Sequence, residues 1–410
     1  MKTISMQSGC SLMPASMEKE KMLSAKIPIA VTAVLALVAS FATTAAAQSD
    51  ALRKLYETSA TIPTNVESIH AYPAPPAGFD SLSASDEDLA AYGIPLRPDK
   101  VQDPEGYRHW TRVAQLMGNP HSRWYGELKP RPVHGALATA VPSSKQAQDT
   151  TFGATSVSGH GWSGVVNTVP GTTWSSSKSF SSVQGEFNVP APQQAFASGG
   201  QSDICDGGTD MASFWVGLGG LSVTGKNLGN QNNVAQTGVD IYAFCNVQVG
   251  ANFGAYAWEE WYPGPSVQLF DVNPADDISV SVEDTSSTAA AFFIVDFTIQ
   301  QSASFTITAP ADTKLVGNEA EYIVERPGGD STPTGLYPLA NYIWSFWDFS
   351  RAKAFTGTYY YPGETSATTY DVSMTDDSGA NIISVPNIDK GLQNLFVQDQ
   401  GCAYSLGCTP

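Results

Sequence analysis

The chain has 410 residues, 42% hydrophobic and 15% charged, with a formal net charge of −18, which is length for two or three domains. The acidity is uneven: residues 149–410 carry 26 Asp and Glu against 7 Lys and Arg, whereas residues 51–148 balance at 10 against 10. That sign excludes nucleic acid as the partner, because phosphate binding needs a basic stripe, and it suits life in acid, where few Lys and Arg leave little positive self-repulsion once carboxylates protonate.

In chain order, Met1–Ser16 carries no usable pattern, and Met17 or Met22 is the better start. Lys19, Lys21 and Lys26 precede the apolar run Ile27–Ala42 and the small residues Ala45-Ala46-Ala47. This reads as a cleaved export signal over residues 1–47; the run is short for a membrane span. The protein is therefore expected to be secreted, extracellular or periplasmic, without a stable membrane anchor. Beyond the signal the Cys count is even, and the expected disulfides are Cys205–Cys245 and Cys402–Cys408, one of three possible pairings. A zinc site is disfavoured, since no Cys-x-x-Cys occurs and no His lies near.

Residues 48–150 differ in kind. They hold four of the five His and many Pro. Asp50–Thr58 reads as a short helix with Leu52 and Leu55 inward. Pro104–Met117 reads as a longer one, with Tyr107, Trp110 and Val113 at helical spacing, and Ala91–Pro98 between them as extended chain. After Lys129 the Pro, Ala, Ser and Gln content is that of a linker. The segment reads as a partly helical prosegment that covers the acidic domain during export.

Residues 151–410 show short alternating runs: Ser179–Val189, Phe214–Leu218, Val234–Phe244, Ala255–Tyr262, Ile278–Val282, Ala291–Ile299, Ala303–Thr308, Glu321–Val324, Tyr342–Phe349 and Thr356–Tyr361. Gly, Pro, Asp and Ser punctuate them, which is the pattern of an all-β sandwich. Along Glu321–Arg326, Tyr322 and Val324 share one face, while Glu321, Ile323 and Glu325 share the other. A carboxylate set among Ile, Val and Tyr is costly to ionise, so its pKa is expected to rise. Along Val234–Asp240, Gln236, Gly238 and Asp240 share a face; along Ala255–Tyr262, so do Trp258, Glu260 and Tyr262.

Elimination narrows the chemistry. The β part has a single His, His160, at its start, and no Gly-x-Ser-x-Gly, so a Ser-His-Asp triad is disfavoured. Bridged Cys leave no thiol nucleophile, and no His/carboxylate cluster has zinc spacing. One Asp-Ser-Gly occurs, Asp377-Ser378-Gly379, and without apolar residues leading into it reads as a turn. Carboxylate chemistry remains, with no cofactor.

Six segments, in order, resemble the glutamic peptidases, the eqolisin family: Gly161-Trp162-Ser163-Gly164, Val183–Pro190, Phe214–Leu218, Ala235–Gly238, Trp258–Pro263 and Glu321–Glu325. The resemblance implies a two-sheet antiparallel β-sandwich of the concanavalin A-like type, acting on proteins or peptides in acid. It implies Glu325 as general base and Gln236 as its partner in holding the oxyanion, with Trp215, Trp258, Glu260 and Tyr262 lining the substrate cleft. Core packing is the competing role for these aromatics, above all for Trp215 and Trp261. Many family members have Gly-Ile-Asp-Gly after the Trp matched by Trp215; here it is Gly217-Leu218-Gly219-Gly220, so Gly219 replaces an Asp. A monomer is expected. A second class stays open at this point: a carbohydrate-binding or glycoside-hydrolysing sandwich, with Trp258, Trp261 and Tyr359–Tyr361 against sugar and Glu260 with Glu325 as its two carboxylates.

Overall fold

Alternation along each strand sets the architecture, because successive side chains leave a strand on opposite faces. The computed structural model describes residues 54–134, 141–142, 155–169, 179–194, 206–221, 233–329, 335–363, 368–388 and 395–399. The N-terminal part contributes the two-residue strands β1 (Ile62–Pro63), β3 (Lys129–Pro130) and β4 (Val141–Pro142), with β2 (Ile69–Ala71) between the first two. The rest follows as β5 (Thr155–Gly159), β6 (Trp162–Thr168), β7 (Phe180–Asn188), β8 (Asp206–Leu218), β9 (Val234–Asn246), β10 (Gly250–Tyr262) and β11 (Val267–Val272). Then come β12 (Asp277–Ser286), β13 (Ala289–Asp296), β14 (Gln301–Thr308), β15 (Glu319–Glu325), β16 (Trp344–Ala354), β17 (Tyr359–Tyr360), β18 (Thr368–Thr375), β19 (Ile382–Ile388) and β20 (Leu395–Asp399).

Two antiparallel layers result. One runs β16-β7-β12-β13-β14-β2-β1. The other runs β3-β11-β10-β9-β8-β15-β6-β18, with β5 added in parallel beyond β18. The strands β19 and β20 join the two at one edge. Between the layers lies the main core: Phe214 and Val216 of β8, Val239 and Ile241 of β9, Val280 of β12, Phe292 and Ile294 of β13, Tyr322 and Val324 of β15. Each such side chain stabilises the fold by about 1.5–3 kcal/mol on leaving water. The opposite face of the second layer carries its own aromatic cluster, with Trp162, Trp215, Tyr256, Trp258 and Ile323. The expected split of Tyr322 and Val324 from Ile323 and Glu325 is what positions the site.

The N-terminal segment is built into this frame. Helix Pro104–Met117 starts on the cap Asp103, which accepts from the Gly106 amide at 2.9 Å. Its apolar face, Trp110, Val113, Ala114 and Met117, lies against Ala291, Phe293 and Val295 on the outside of the first layer. Arg112 pairs with Glu186 and Asp277 at 2.8 Å each, and Arg351 with Asp103 in a buried ion pair. The segment also extends both layers, β2 on β14 and β3 on β11.

Several expectations move. Residues 54–58 are helical, but Tyr56 goes deeper than Leu55, and Leu52 lies outside the described residues. The helix Asp86–Ala91, capped by Ser85, was not evident from spacing because only Leu89 and Ala90 are buried on it. The chain after Lys129 is not loose at once, since β3 and a fully buried His134 belong to the fold. Thr356–Tyr361 shrinks to Tyr359–Tyr360, whereas Val267–Val272 and Thr368–Thr375 are strands without a clear alternating signal. Asp377–Gly379 is a turn, with Gly379 at φ +70° and Asp376 accepting from Ser378 and Ala380. Cys205, Cys402, Cys408 and the export signal lie outside the described residues. Among those described, no helix is long and apolar enough to cross a membrane.

Candidate active site

Four adjacent strands, β15, β8, β9 and β10, present one face to a cleft. Their register sets Glu325 opposite Ser213, Ser213 opposite Asp240, and Gln236 between Gly217 and Glu260. The neighbours come close because of Gly238: a Cβ there would stand 2.1 Å from the Phe214 carbonyl oxygen and 2.6 Å from the Trp215 Cβ. Only hydrogen fits, so the indole of Trp215 can lie beside β9.

Glu325 is 2% exposed. The Trp215 Nε1–H donates to its Oε2 at 2.8 Å, and Trp162 meets Trp215 edge-on at 4.9 Å. Burial pushes the Glu325 carboxyl well above the usual carboxylate range, and the Glu260 charge adds to this. The nearby His134 charge and the two indoles pull it back only in part. Glu260, fully buried, is also raised, first by burial, against the opposing pull of His134. Trp215 thus serves the site and not the interlayer core, whereas Trp261 joins that core. Trp258 lies in the cleft cluster, and Tyr262 is half-buried at its margin.

The cleft is filled from within the chain. His134, at the end of the N-terminal segment, inserts over β9 and β10. The Gln236 Nε2 amide donates to the His134 backbone carbonyl at 2.6 Å, and its Oε1 is buried without a hydrogen bond. The His134 backbone N–H donates to Glu260 Oε2 at 2.8 Å. Its ring stacks on Trp258, centroids 3.6 Å apart and planes within 2°. Nδ1 faces Glu260 Oε2 and the Ser266 hydroxyl at 3.1 Å each, and Nε2 faces the two Asp240 oxygens at 2.9 and 3.1 Å. Burial alone would lower this imidazole, but the Asp240 and Glu260 carboxylates outweigh it and raise it to about 10. The ring is held as imidazolium.

The structure therefore brings Gln236, Glu260, Trp258, Trp215 and Glu325 to one cleft. Sequence reasoning missed His134, Ser213, Tyr256 and Ser266, and assigned no role to Asp240 although it shares the face of Gln236. Gly219, in place of the family Asp, has φ +90°, a conformation that suits Gly, and its amide donates to the Glu319 carbonyl at 3.2 Å. Among the described residues no group of three or more His, Cys, Asp or Glu is arranged to hold a metal ion.

The sequence of residues 160–388 matches the model of the Peptidase A4 family. Aspergillopepsin-2 of Aspergillus niger is 30% identical over 165 residues, covering 37% of this chain and 54% of the relative, so the chain spans about half the length of that relative. Among solved structures, scytalido-glutamic peptidase with a transition state analog inhibitor aligns with 58% of this chain and 98% of its own, at 17% identity and a TM-score of 0.43. Aspergilloglutamic peptidase from Aspergillus niger aligns with 46% and 99%, at 21% identity and a TM-score of 0.36. With the family model covering more than half of its length, this chain belongs to the Peptidase A4 family, the glutamic peptidases.

Proposed function

We propose that the protein is an acid-acting endopeptidase, secreted as a proenzyme, with Glu325 as general base and Gln236 as oxyanion donor. The observation that carries this reading is the Gln236 amide already donating to a peptide carbonyl, at 2.6 Å, in the cleft that holds Glu325. Ionised Glu325 takes a proton from water, and the water oxygen attacks the scissile carbonyl carbon. The oxyanion that forms is met by the Gln236 N–H, a preorganised donor worth about 3 kcal/mol in the barrier. Protonated Glu325 then gives its proton to the leaving nitrogen.

The same geometry explains a silent precursor. With His134 in the cleft, Glu325 is dry and held protonated, so it cannot act as base. Departure of the segment lets water reach the carboxyl. Burial is the larger influence on it, so its pKa falls although the His134 charge leaves too. Export through the residue 1–47 signal, and disulfides Cys205–Cys245 and Cys402–Cys408, go with this reading; Cys245 is disulfide-bonded.

The test is digestion of an unfolded protein at acid and neutral pH by the wild-type chain, Glu325→Gln and Gln236→Ala. Acid digestion by the wild type, lost in both variants, is expected. Digestion that survives Glu325→Gln would sink the proposed base.

A further inference from the structure

The cleft holds more than a carbonyl clamp. His134 offers its carbonyl to Gln236 while its side chain enters a slot whose walls are built in advance. Asp240 forms the end of that slot. Its Oδ1 accepts from the Ser213 hydroxyl and its Oδ2 from the Tyr256 hydroxyl at 2.7 Å, so its two oxygens are aimed before any ligand arrives. Asp240, Ser213 and Glu260 are 0% exposed, and Tyr256 is 3% exposed. The floor is the Trp258 indole, parallel to the ring it carries. The near wall is Glu260 with Ser266.

We propose that this slot is a specificity subsite for an imidazolium side chain, carried by the substrate residue whose carbonyl is to be attacked, and that His134 is its resident occupant. This rests on the reading of Gln236 as oxyanion donor, because that reading is what makes the residue held by Gln236 the one that contributes the scissile carbonyl.

The chemistry of the slot selects the ligand. It offers carboxylate oxygens at opposite ends of a flat space, about one five-membered ring apart. A protonated imidazole satisfies both ends, with one N–H toward Asp240 and one toward Glu260. A neutral aliphatic side chain takes the ring N–H from both buried carboxylates and leaves Asp240 with only its Ser213 and Tyr256 hydroxyls and no counter-charge, and sites built to bond a polar group discriminate strongly against partners that lack it. An ammonium group has one charged end for two carboxylates and no face for Trp258. A cation over an indole adds attraction of its own. No balance of electrons is at issue: hydrolysis adds OH to the carbonyl carbon and H to the leaving nitrogen whatever side chain fills the slot.

The experiment has two arms. In the first, acid-activated chain digests an unfolded protein and the cut bonds are read by mass spectrometry, followed by kcat/KM for a matched pair of peptides with His or Leu before the cut bond. His is expected at least about tenfold over its frequency on the carbonyl side. Asp240→Asn is expected to lower kcat/KM at least tenfold for the His peptide and less than threefold for the Leu peptide. Ser213→Ala, which leaves the carboxylate and removes its hydroxyl donor, is expected to change the pair in the same sense by a smaller factor. Active digestion without His enrichment, or equal loss on both peptides, would overturn the subsite while leaving the peptidase standing. In the second arm, His134 in the intact chain is titrated by NMR. A pKa near 10 that falls in Asp240→Asn is expected. A free-solution value would overturn the slot without reference to activity. A wild-type chain that digests nothing would remove the peptidase reading, and the subsite with it.

Discussion

The Trp215–Glu325 hydrogen bond gives the sharpest test of the proposed base. Trp215→Phe keeps an aromatic ring in the cleft cluster and removes the Nε1–H that donates to Glu325 Oε2 at 2.8 Å. That bond favours the ionised carboxylate, so losing it raises the carboxyl pKa further. A hydrogen bond to a charged group is worth about 1.5–3 kcal/mol, and 1.36 kcal/mol is one pH unit. Both side chains are buried, so solvent screening takes little from the figure. The acidic limb of kcat/KM, which reports the free enzyme's essential base, is expected to move up by about one to two pH units. The assay is the pH–rate profile of the acid-activated chain on a fluorogenic peptide, wild type against Trp215→Phe, with thermal midpoints recorded at each pH. If the limb stays put or moves down in a variant of unchanged stability, Glu325 is not the group that titrates, and the reasoning about its environment fails.

Three further outcomes follow from the same fold. Glu259 alternates with Trp258 and Glu260, so it faces the interlayer core; burial pushes its carboxyl well above the ordinary 4.5, and no other influence acts on it. A carboxyl raised on folding keeps its proton where the unfolded chain has lost it, so stability falls as pH rises above about 4.5; Glu259→Gln is expected to flatten that fall and to gain on the order of 1–3 kcal/mol at pH 7, read by denaturant unfolding at pH 4.5 and 7. Asp103→Asn leaves Arg351 buried without its carboxylate, at about 3–5 kcal/mol, and is expected to expose helix Pro104–Met117 to limited proteolysis at neutral pH; unchanged protection would refute the anchor. Docking of the N-terminal segment is expected to fade at both pH extremes. Burial opposes the charge on Glu186, but His109 and Arg112 outweigh it and hold its carboxyl below 4.5, so that anchor is present above 4.5 and lost as pH falls through its lowered value. His134, raised to about 10, holds fully below 6.5 and lets go as pH rises through 10. Hydrogen exchange of residues 104–134 across pH 2–11 measures both edges.

What the sequence made legible is what alternation controls. Period two along Glu321–Glu325, Val234–Asp240 and Ala255–Tyr262 assigns each side chain to the core or the cleft, and the structure keeps those assignments at Tyr322, Val324, Gln236, Trp258 and Glu260. A strand that begins outside the core hides its start: β8 starts at Asp206, well before the apolar run Phe214–Leu218 that announces it, because its first residues are Gly, Thr and Asp, and Gly207–Asp210 are exposed or half-buried. Trp215 was ambiguous for a physical reason too. An indole is apolar enough for the core and has one N–H, and only the position of Glu325 on the adjacent strand, two residues along from the Ile323 that pairs with Trp215, decides that the N–H is used.

His134 marks the limit of local reading. It sits among Arg, Pro, Val, Gly and Ala in a stretch with linker composition, so nothing within ten residues of it predicts burial. Its place is decided by groups about 80 to 132 residues further on: Ser213 and Tyr256 aim Asp240, Glu260 and Ser266 take Nδ1, Trp258 takes the ring face, and Gln236 takes the carbonyl. Each partner alone is an unremarkable strand residue. A charged His enters a fully buried site only when its charge is matched, and the two carboxylates that match it were visible as Asp240 and Glu260 on the faces of Gln236 and Trp258. Those carboxylates, buried and aligned on neighbouring strands, form an unfilled demand for a cation, and the strongly acidic β domain carries only seven Lys and Arg to meet such demands. The cation comes instead from outside residues 149–410, from the charge-balanced segment that precedes them.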